Sequence, residues 1–156
     1  MITHSTQSIF ASSADTLVNP VNCAGTMGAG LALEFSKRFP RSMLARYIRA
    51  TKSGELAKAG DFALWENPRG KSVLLFATKG HWRDRSRIVD IHLGLQRLVE
   101  QHRACWSGRV KSIAFPRLGC GLGGLSWTVV QPVMESTLNA LEGVAVSIHH
   151  HPENAP

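Results

Sequence analysis

One stretch constrains this chain more than any other: Leu17 to Pro40, LVNPVNCAGTMGAGLALEFSKRFP. It opens as an apolar strand, passes two asparagines, crosses a glycine-rich turn and enters a helix that must stop at Pro40. Leu31, Phe35 and Phe39 lie four apart and share one helical face, leaving Glu34, Lys37 and Arg38 to solvent. A strand feeding a helix through glycines is a phosphate-binding arrangement. The glycines admit a close ligand, and the free N–H groups at the helix start point at an anion. A second glycine loop, Pro116 to Trp127 (PRLGCGLGGLSW), also follows an apolar strand. Two such loops suggest a pocket for a ligand that carries a diphosphate.

The elements around these loops alternate in kind. Short strands are expected at Ile2–His4, Thr16–Val21, Asp61–Glu66, Ser72–Thr78, Val110–Phe115 and Val144–His149. A polar loop or short helical turn covers Gln7–Asp15. The turn-forming segment Asn67 to Gly70 makes a hairpin of the third and fourth strands. Helices are expected after the first glycine loop, over Arg41–Ser53 with Gly54 as its C-cap, from an N-cap at Ser86 to about Arg103, and from Pro132 in a first helical position to about Leu141. Intermixed strands and helices with one hairpin imply an α/β fold: three α/β/α layers around a central mixed sheet. With 156 residues the chain fits a single domain, residues 1–150, with 151–156 a frayed tail. Both glycine loops and the loop at Lys79 follow strands, so all three are expected at one sheet edge, beyond the strands' carboxyl ends.

The net charge of +7 favours a polyanionic partner, nucleic acid above all, or else marks a generally basic surface. The run from Lys37 to Lys52 holds six basic residues and no acid, and reads as a nucleic-acid face or a solvated helix face. No apolar run is long enough for a membrane span and no signal-peptide pattern opens the chain. Three cysteines without metal-ligand spacing point to no disulfide framework and a cytoplasmic protein. Cys23 and Cys120 sit in the glycine loops, either lining the pocket or filling tight space. Neighbouring His149, His150 and His151 would point to opposite faces of a strand, so no metal is expected.

Lys79 stands just past an apolar strand, followed by Gly80, His81, Trp82 and Arg83. Cationic neighbours and partial burial both lower a lysine pKa, and a lysine so tuned can attack an electrophilic carbon. The plainer alternative is a surface lysine or a phosphate partner. Asn22 can orient sugar hydroxyls or bond to its own backbone. Trp82 and Trp127 can stack on a base or complete the core. A serine nucleophile elbow, a Walker loop and paired carboxylates are all missing, and GAGLAL fits the dinucleotide fingerprint poorly. The residues alone therefore give a phosphate-rich nucleotide ligand, with an enzyme and a reader both open.

Three motifs in order, LVNPVNCAGTMGAGLALEFSKRFP, FATKGHWRDRS and IAFPRLGCGLGGLSW, resemble a macrodomain, most closely that of the DarG antitoxins, the DNA ADP-ribosyl glycohydrolases of DarT/DarG toxin–antitoxin systems. The resemblance covers Ile2 to about Ile148. It implies ADP-ribose contacts at Asn22, Cys23, Gly25, Thr26, Met27, Gly28, Ala29 and Gly30, and from the other side at Pro116, Leu118, Gly119, Cys120, Gly121, Leu122 and Gly123. It implies Lys79 as the catalytic residue, His81, Trp82 and Arg83 as contacts to DNA or substrate, and no metal or cofactor. The implied reaction removes ADP-ribose from thymidine in single-stranded DNA. Hydrolysis of ADP-ribosyl esters on acidic protein side chains, or binding of ADP-ribose without cleavage, are the alternatives. The implied partners are ADP-ribose and ADP-ribosylated single-stranded DNA. The resemblance extends to a human relative of that family, the terminal ADP-ribose protein glycohydrolase, which carries an acid where this chain has Gly123, whereas DarG proteins carry glycine. Gln7-Ser8-Ile9-Phe10 stands where many macrodomains place an adenine-reading Asp, so backbone groups are expected to read adenine. DarG proteins continue into a C-terminal domain linked with toxin neutralisation. This chain stops after the macrodomain, as a piece or a stand-alone relative would, which leaves a cognate DarT-type toxin open as a partner.

Overall fold

The computed structural model describes residues 1–106 and 108–150. Six strands, β1 (Ile2–Ser5), β2 (Thr16–Val21), β3 (Phe62–Trp65), β4 (Ser72–Ala77), β5 (Ser112–Phe115) and β6 (Ala145–His149), form one sheet in the order β1-β6-β5-β2-β4-β3. All neighbours are parallel except the hairpin pair β3 and β4. The mixed sheet and its hairpin are as the sequence implies. Four helices cover it: α1 (Gly30–Arg38), α2 (Arg41–Ser53), α3 (Ile88–Gln101) and α4 (Trp127–Leu138).

Strand alternation splits the core in two. Val18, Leu74, Phe76, Ile113 and Phe115 face α3 and α4, meeting Ile91, Leu95, Leu98, Val130, Met134 and Leu138. Leu17, Val21, Val73, Leu75 and Ala114 face α1 and α2, meeting Leu31, Phe35, Met43, Tyr47 and Ala50. Both faces are covered, so β2 is buried along its whole length. Helix α3 packs closely because Gly94 lacks a side chain. A Cβ there would lie 2.6 Å from the Gly60 carbonyl oxygen and 2.7 Å from Phe76 Cζ. Gly94→Ala is therefore expected to destabilise the fold by roughly 1–3 kcal/mol through overpacking, despite alanine's better helix propensity. Urea denaturation measures it, and an unchanged midpoint would contradict this packing.

Pro20 lies inside a central strand, which proline normally avoids. The Val21 carbonyl accepts from Thr78 on the β4 side. By the alternation of a parallel ladder, Pro20 then turns its nitrogen to the β5 side. There the last paired residue of β2 is Leu17, so no ladder bond is lost.

Several boundaries differ from the sequence expectation. Ser86 does not cap α3. The helix follows Arg87, whose side chain makes no cap bond, and it ends at Gln101 in a π-helical turn, His102–Trp106. Helix α4 begins at Trp127, so Pro132 lies inside it rather than at its start. Burial of Val130, Met134 and Leu138 along one face holds the turn N-terminal to the proline in place. The fifth strand begins at Ser112, because the Lys111 and Ser112 N–H groups are taken by the Asp15 carboxylate. Arg46 is no part of a nucleic-acid face: it makes two hydrogen bonds of 2.7 and 2.8 Å to Glu55 and a third to the Leu64 carbonyl. The expected tail, 151–156, lies outside the described residues.

Candidate functional site

The carboxyl ends of β5, β2 and β4 are neighbours and point the same way. The three loops leaving them therefore meet at one edge, around a cleft of about 870 Å³. Backbone hydrogen bonds clamp the Lys79 loop to both others. Cys23 N–H donates to the Gly80 carbonyl at 2.7 Å, and Ser86 N–H donates to the Gly123 carbonyl at 3.0 Å. The Lys79 loop is thus held at one end by the first glycine loop and at the other by the second.

The first glycine loop is built on Asn22 and Tyr47. Asn22 Oδ1 accepts from the Ala24 N–H at 2.9 Å, and Asn22 Nδ2 donates to the Thr26 carbonyl at 3.1 Å. The hydroxyl of fully buried Tyr47, from α2, reaches both the Asn22 carbonyl and Asn22 Oδ1 at 2.8 Å. Burial pushes that phenol up to about 12, so it stays a donor. Asn22 therefore organises the loop's own backbone, and it also lines the cleft. Gly25 sits at φ 84°, a left-handed turn that a side chain would strain. Helix α1 starts at Gly30 with no side-chain cap, so its first N–H groups lie open beside Gly28 and Ala29 on the cleft wall.

The second loop folds through turns in which Cys120 N–H, Gly124 N–H and Leu125 N–H donate to the Arg117, Gly121 and Gly119 carbonyls. Gly123 packs on Ser86: a Cβ at Gly123 would lie 2.3 Å from Ser86 Oγ and 2.6 Å from the Gly119 carbonyl oxygen. Ser86 is buried and its Oγ has no hydrogen-bond partner among the described residues. Its small side chain is a spacer under the loop.

Lys79 lines the cleft, half-buried, between these loops. Burial lowers its pKa from the ordinary lysine range, and the nearby Asp84 carboxylate pulls the other way. Of the two causes expected, partial burial and cationic neighbours, burial is the one that acts here. Asp84 Oδ2 also accepts from the His81 N–H at 2.9 Å. The Arg83 N–H donates to His81 Nδ1 at 3.1 Å, which makes that nitrogen an acceptor. Asp84→Asn keeps an acceptor for His81 and removes the charge. The Lys79 titration is then expected to move to lower pH, as read by NMR of labelled lysines. An unmoved titration would detach Asp84 from Lys79.

Of the residues expected at the site, Asn22, Thr26, Gly28, Ala29, Lys79, Trp82, Arg83, Gly121, Leu122 and Gly123 line the cleft. Cys23, Gly25, Met27, Gly30, His81, Pro116, Leu118, Gly119 and Cys120 lie in its loops but are not among the lining residues. Cys23 and Cys120 pack against the two cores, and burial pushes both thiols up to about 11. They fill space. Trp127 packs on the core edge-on to His150, away from the cleft lining. The cleft also takes in Pro20, Val21, Ala32, Thr78, Asp84, Arg85 and Gly124. Arg85 and Asp84 stood in a motif already singled out. Tyr47 had no local signal, because it reaches the loop from another helix. Among the described residues no group of three or more His, Cys, Asp or Glu could hold a metal, and no helix is long and apolar enough to cross a membrane.

This architecture has known counterparts. The chain is 39% identical over 142 residues to a DNA ADP-ribosyl glycohydrolase of Thermus aquaticus, covering 90% of this chain and 38% of that protein. A DNA ADP-ribosyl glycohydrolase of Mycobacterium tuberculosis is 35% identical over 153 residues, covering 96% and 42%. The chain thus spans about two fifths of the length of these curated relatives. Among solved structures, the macrodomain of Mycobacterium tuberculosis DarG matches with a TM-score of 0.86 and 36% identity, covering 96% of this chain and 97% of that one. Thermosipho africanus DarTG in complex with ADP-ribose matches at 0.81 and 37% identity, covering 91% and 39%. Residues 18–134 match the Macro domain family, and the chain belongs to that family.

Proposed function

We propose that this protein is an ADP-ribosyl glycohydrolase that removes ADP-ribose from thymidine bases in single-stranded DNA. The observation that carries the reading is Lys79: an amine with a lowered pKa, on the cleft wall, clamped between two anion-cradling loops. The glycine loops and the start of α1 hold the diphosphate, with ribose against Asn22. The remaining residues of the two loops that do not line the cleft shape it from behind.

The bond to be cut joins the anomeric carbon of the distal ribose to a base nitrogen. Cleavage adds one water across it: the hydroxyl goes to the anomeric carbon and the proton to the base. Positive charge builds on the sugar on the way. Lys79 acts at that carbon, and the fixed diphosphate and loop amides supply the electrostatic frame. Trp82 and Arg83, which line the cleft close to Lys79 in sequence, can meet the linked base, and His81 packs against the Trp82 ring. A relative named as a fusion of DNA ADP-ribosyl transferase and DNA ADP-ribosyl glycohydrolase supports a DarT-type enzyme as the partner that installs the group. A cytoplasmic site of action fits three free cysteines.

The test is release of free ADP-ribose from an ADP-ribosylated single-stranded oligonucleotide. An ADP-ribosylated acidic peptide is run beside it. Turnover of the peptide alone would replace this substrate with a protein ester, and tight ADP-ribose binding with no turnover of either would leave a reader.

A further inference from the structure

Loop 79–87 carries side chains that holding ADP-ribose does not call for. Trp82 is 50% exposed and Leu122, from the second glycine loop, is 61% exposed. They are the two exposed large hydrophobic residues that line the cleft. The Trp82 ring is held in place: the Arg83 guanidinium lies 4.6 Å over its centre and the His81 ring leans on it at 5.1 Å. A ring fixed in advance loses little freedom when a flat ligand arrives. Arg85 is the second feature. It lines the same cleft and has no ion pair or hydrogen bond among the described residues. Its Nη1 lies 3.2 Å from where a Gly124 Cβ would stand, so the guanidinium reaches from the Lys79 loop across to the second glycine loop. Asp84, the acid beside it, already accepts from the His81 N–H.

Stacking surface beside an unneutralised guanidinium is the combination that single-stranded nucleic acid uses, a π-face for a base and a cation for the backbone. We propose that Trp82, Leu122 and Arg85 form the receiving surface for the substrate strand. The two apolar side chains hold a base and Arg85 takes a strand phosphate. This rests on the DNA-linked substrate proposed above. It adds a surface that distinguishes a nucleic acid from free ADP-ribose, and it gives Arg85 a phosphodiester rather than the ADP-ribose diphosphate.

Wild type, Trp82→Ala and Arg85→Gln are compared on three probes: free ADP-ribose by calorimetry, fluorescein-labelled unmodified oligothymidylate by anisotropy, and an ADP-ribosylated oligonucleotide by turnover. Affinity for ADP-ribose is expected to stay within about threefold, which also certifies folding. Trp82→Ala is expected to weaken oligothymidylate binding, and kcat/KM on the modified oligonucleotide, by roughly five- to 100-fold. Arg85→Gln is expected to flatten the log–log salt dependence of oligothymidylate binding by about 0.7. Proportional losses on ADP-ribose would assign these residues to the ADP-ribose site and overturn the proposal. So would unchanged oligonucleotide readouts in both variants, wild-type protein that does not bind oligothymidylate, or equal Trp82 dependence on an ADP-ribosylated peptide. If wild type binds oligothymidylate through Trp82 and Arg85 yet releases no ADP-ribose, the glycohydrolase reading fails and the strand surface stands.

Discussion

Lys79→Ala is expected to lower turnover of an ADP-ribosylated oligonucleotide by at least about 100-fold, the usual scale for removing a group that acts on the reacting atoms. ADP-ribose affinity is expected to change by less than about threefold, or roughly 0.7 kcal/mol. The reason is the division of labour proposed for the cleft: backbone amides of the glycine loops and of α1 are the groups proposed to hold the ligand, and the Lys79 loop keeps its path through backbone bonds at Cys23–Gly80 and Ser86–Gly123. None of these needs the lysine side chain. Stability supplies a second, independent expectation. Burial lowers the Lys79 pKa in the folded protein, so between the folded and unfolded values the unfolded chain binds more protons. Stability therefore rises with pH through that window. Lys79→Ala removes the desolvated amine, so its melting temperature is expected to be no lower than that of the wild type at neutral pH, and this alkaline rise is expected to vanish. Unchanged turnover would remove Lys79 from the chemistry. Lost ADP-ribose binding would make it a binding residue.

Gly123→Ala is expected to cost about 1–3 kcal/mol or more of stability and to weaken ADP-ribose binding, because the loop must move off its support. The added methyl would lie 2.3 Å from Ser86 Oγ, 2.9 Å from Ser86 Cβ and 2.6 Å from the Gly119 carbonyl oxygen. Gly123 has no positive φ, so the strain is steric and not conformational. That permits a sharp control. Ser86→Gly removes the first two contacts and leaves the third, so adding it to Gly123→Ala is expected to restore part of the loss. The two changes should therefore couple rather than add. Thermal unfolding and calorimetry with ADP-ribose measure both effects. Strict additivity would show that the loop does not rest on Ser86. By the same geometry a longer side chain at position 123 would meet Ser86 from below.

Much of this site is legible in the sequence alone. Periodicity placed β2 to the residue and put Leu31 and Phe35 in the core, because local alternation and a four-residue repeat depend only on neighbours in sequence. Pro40 and Gly54 marked helix ends for the same reason. The misplaced starts of α3 and α4 were cases where packing outweighed local chemistry. Ser86 looks like an N-cap until Gly123 is seen lying on it, and Pro132 looks like a helix start until Val130 and Met134 are seen buried on either side.

The sequence by itself determined the parts: two glycine loops and a lysine loop, each leaving a strand, on a chain of basic charge. That follows because strands, turns and helix stops are written in short-range pattern. Only the tertiary structure decided which side chains face the cleft. It turned Cys23 and Cys120 toward the cores, brought Tyr47 in from α2 to hold Asn22, set Ser86 beneath Gly123 and laid Arg85 against Gly124. Each of these is a contact between segments far apart in sequence. It is fixed by how the sheet aligns three strand ends, and no local pattern carries that information.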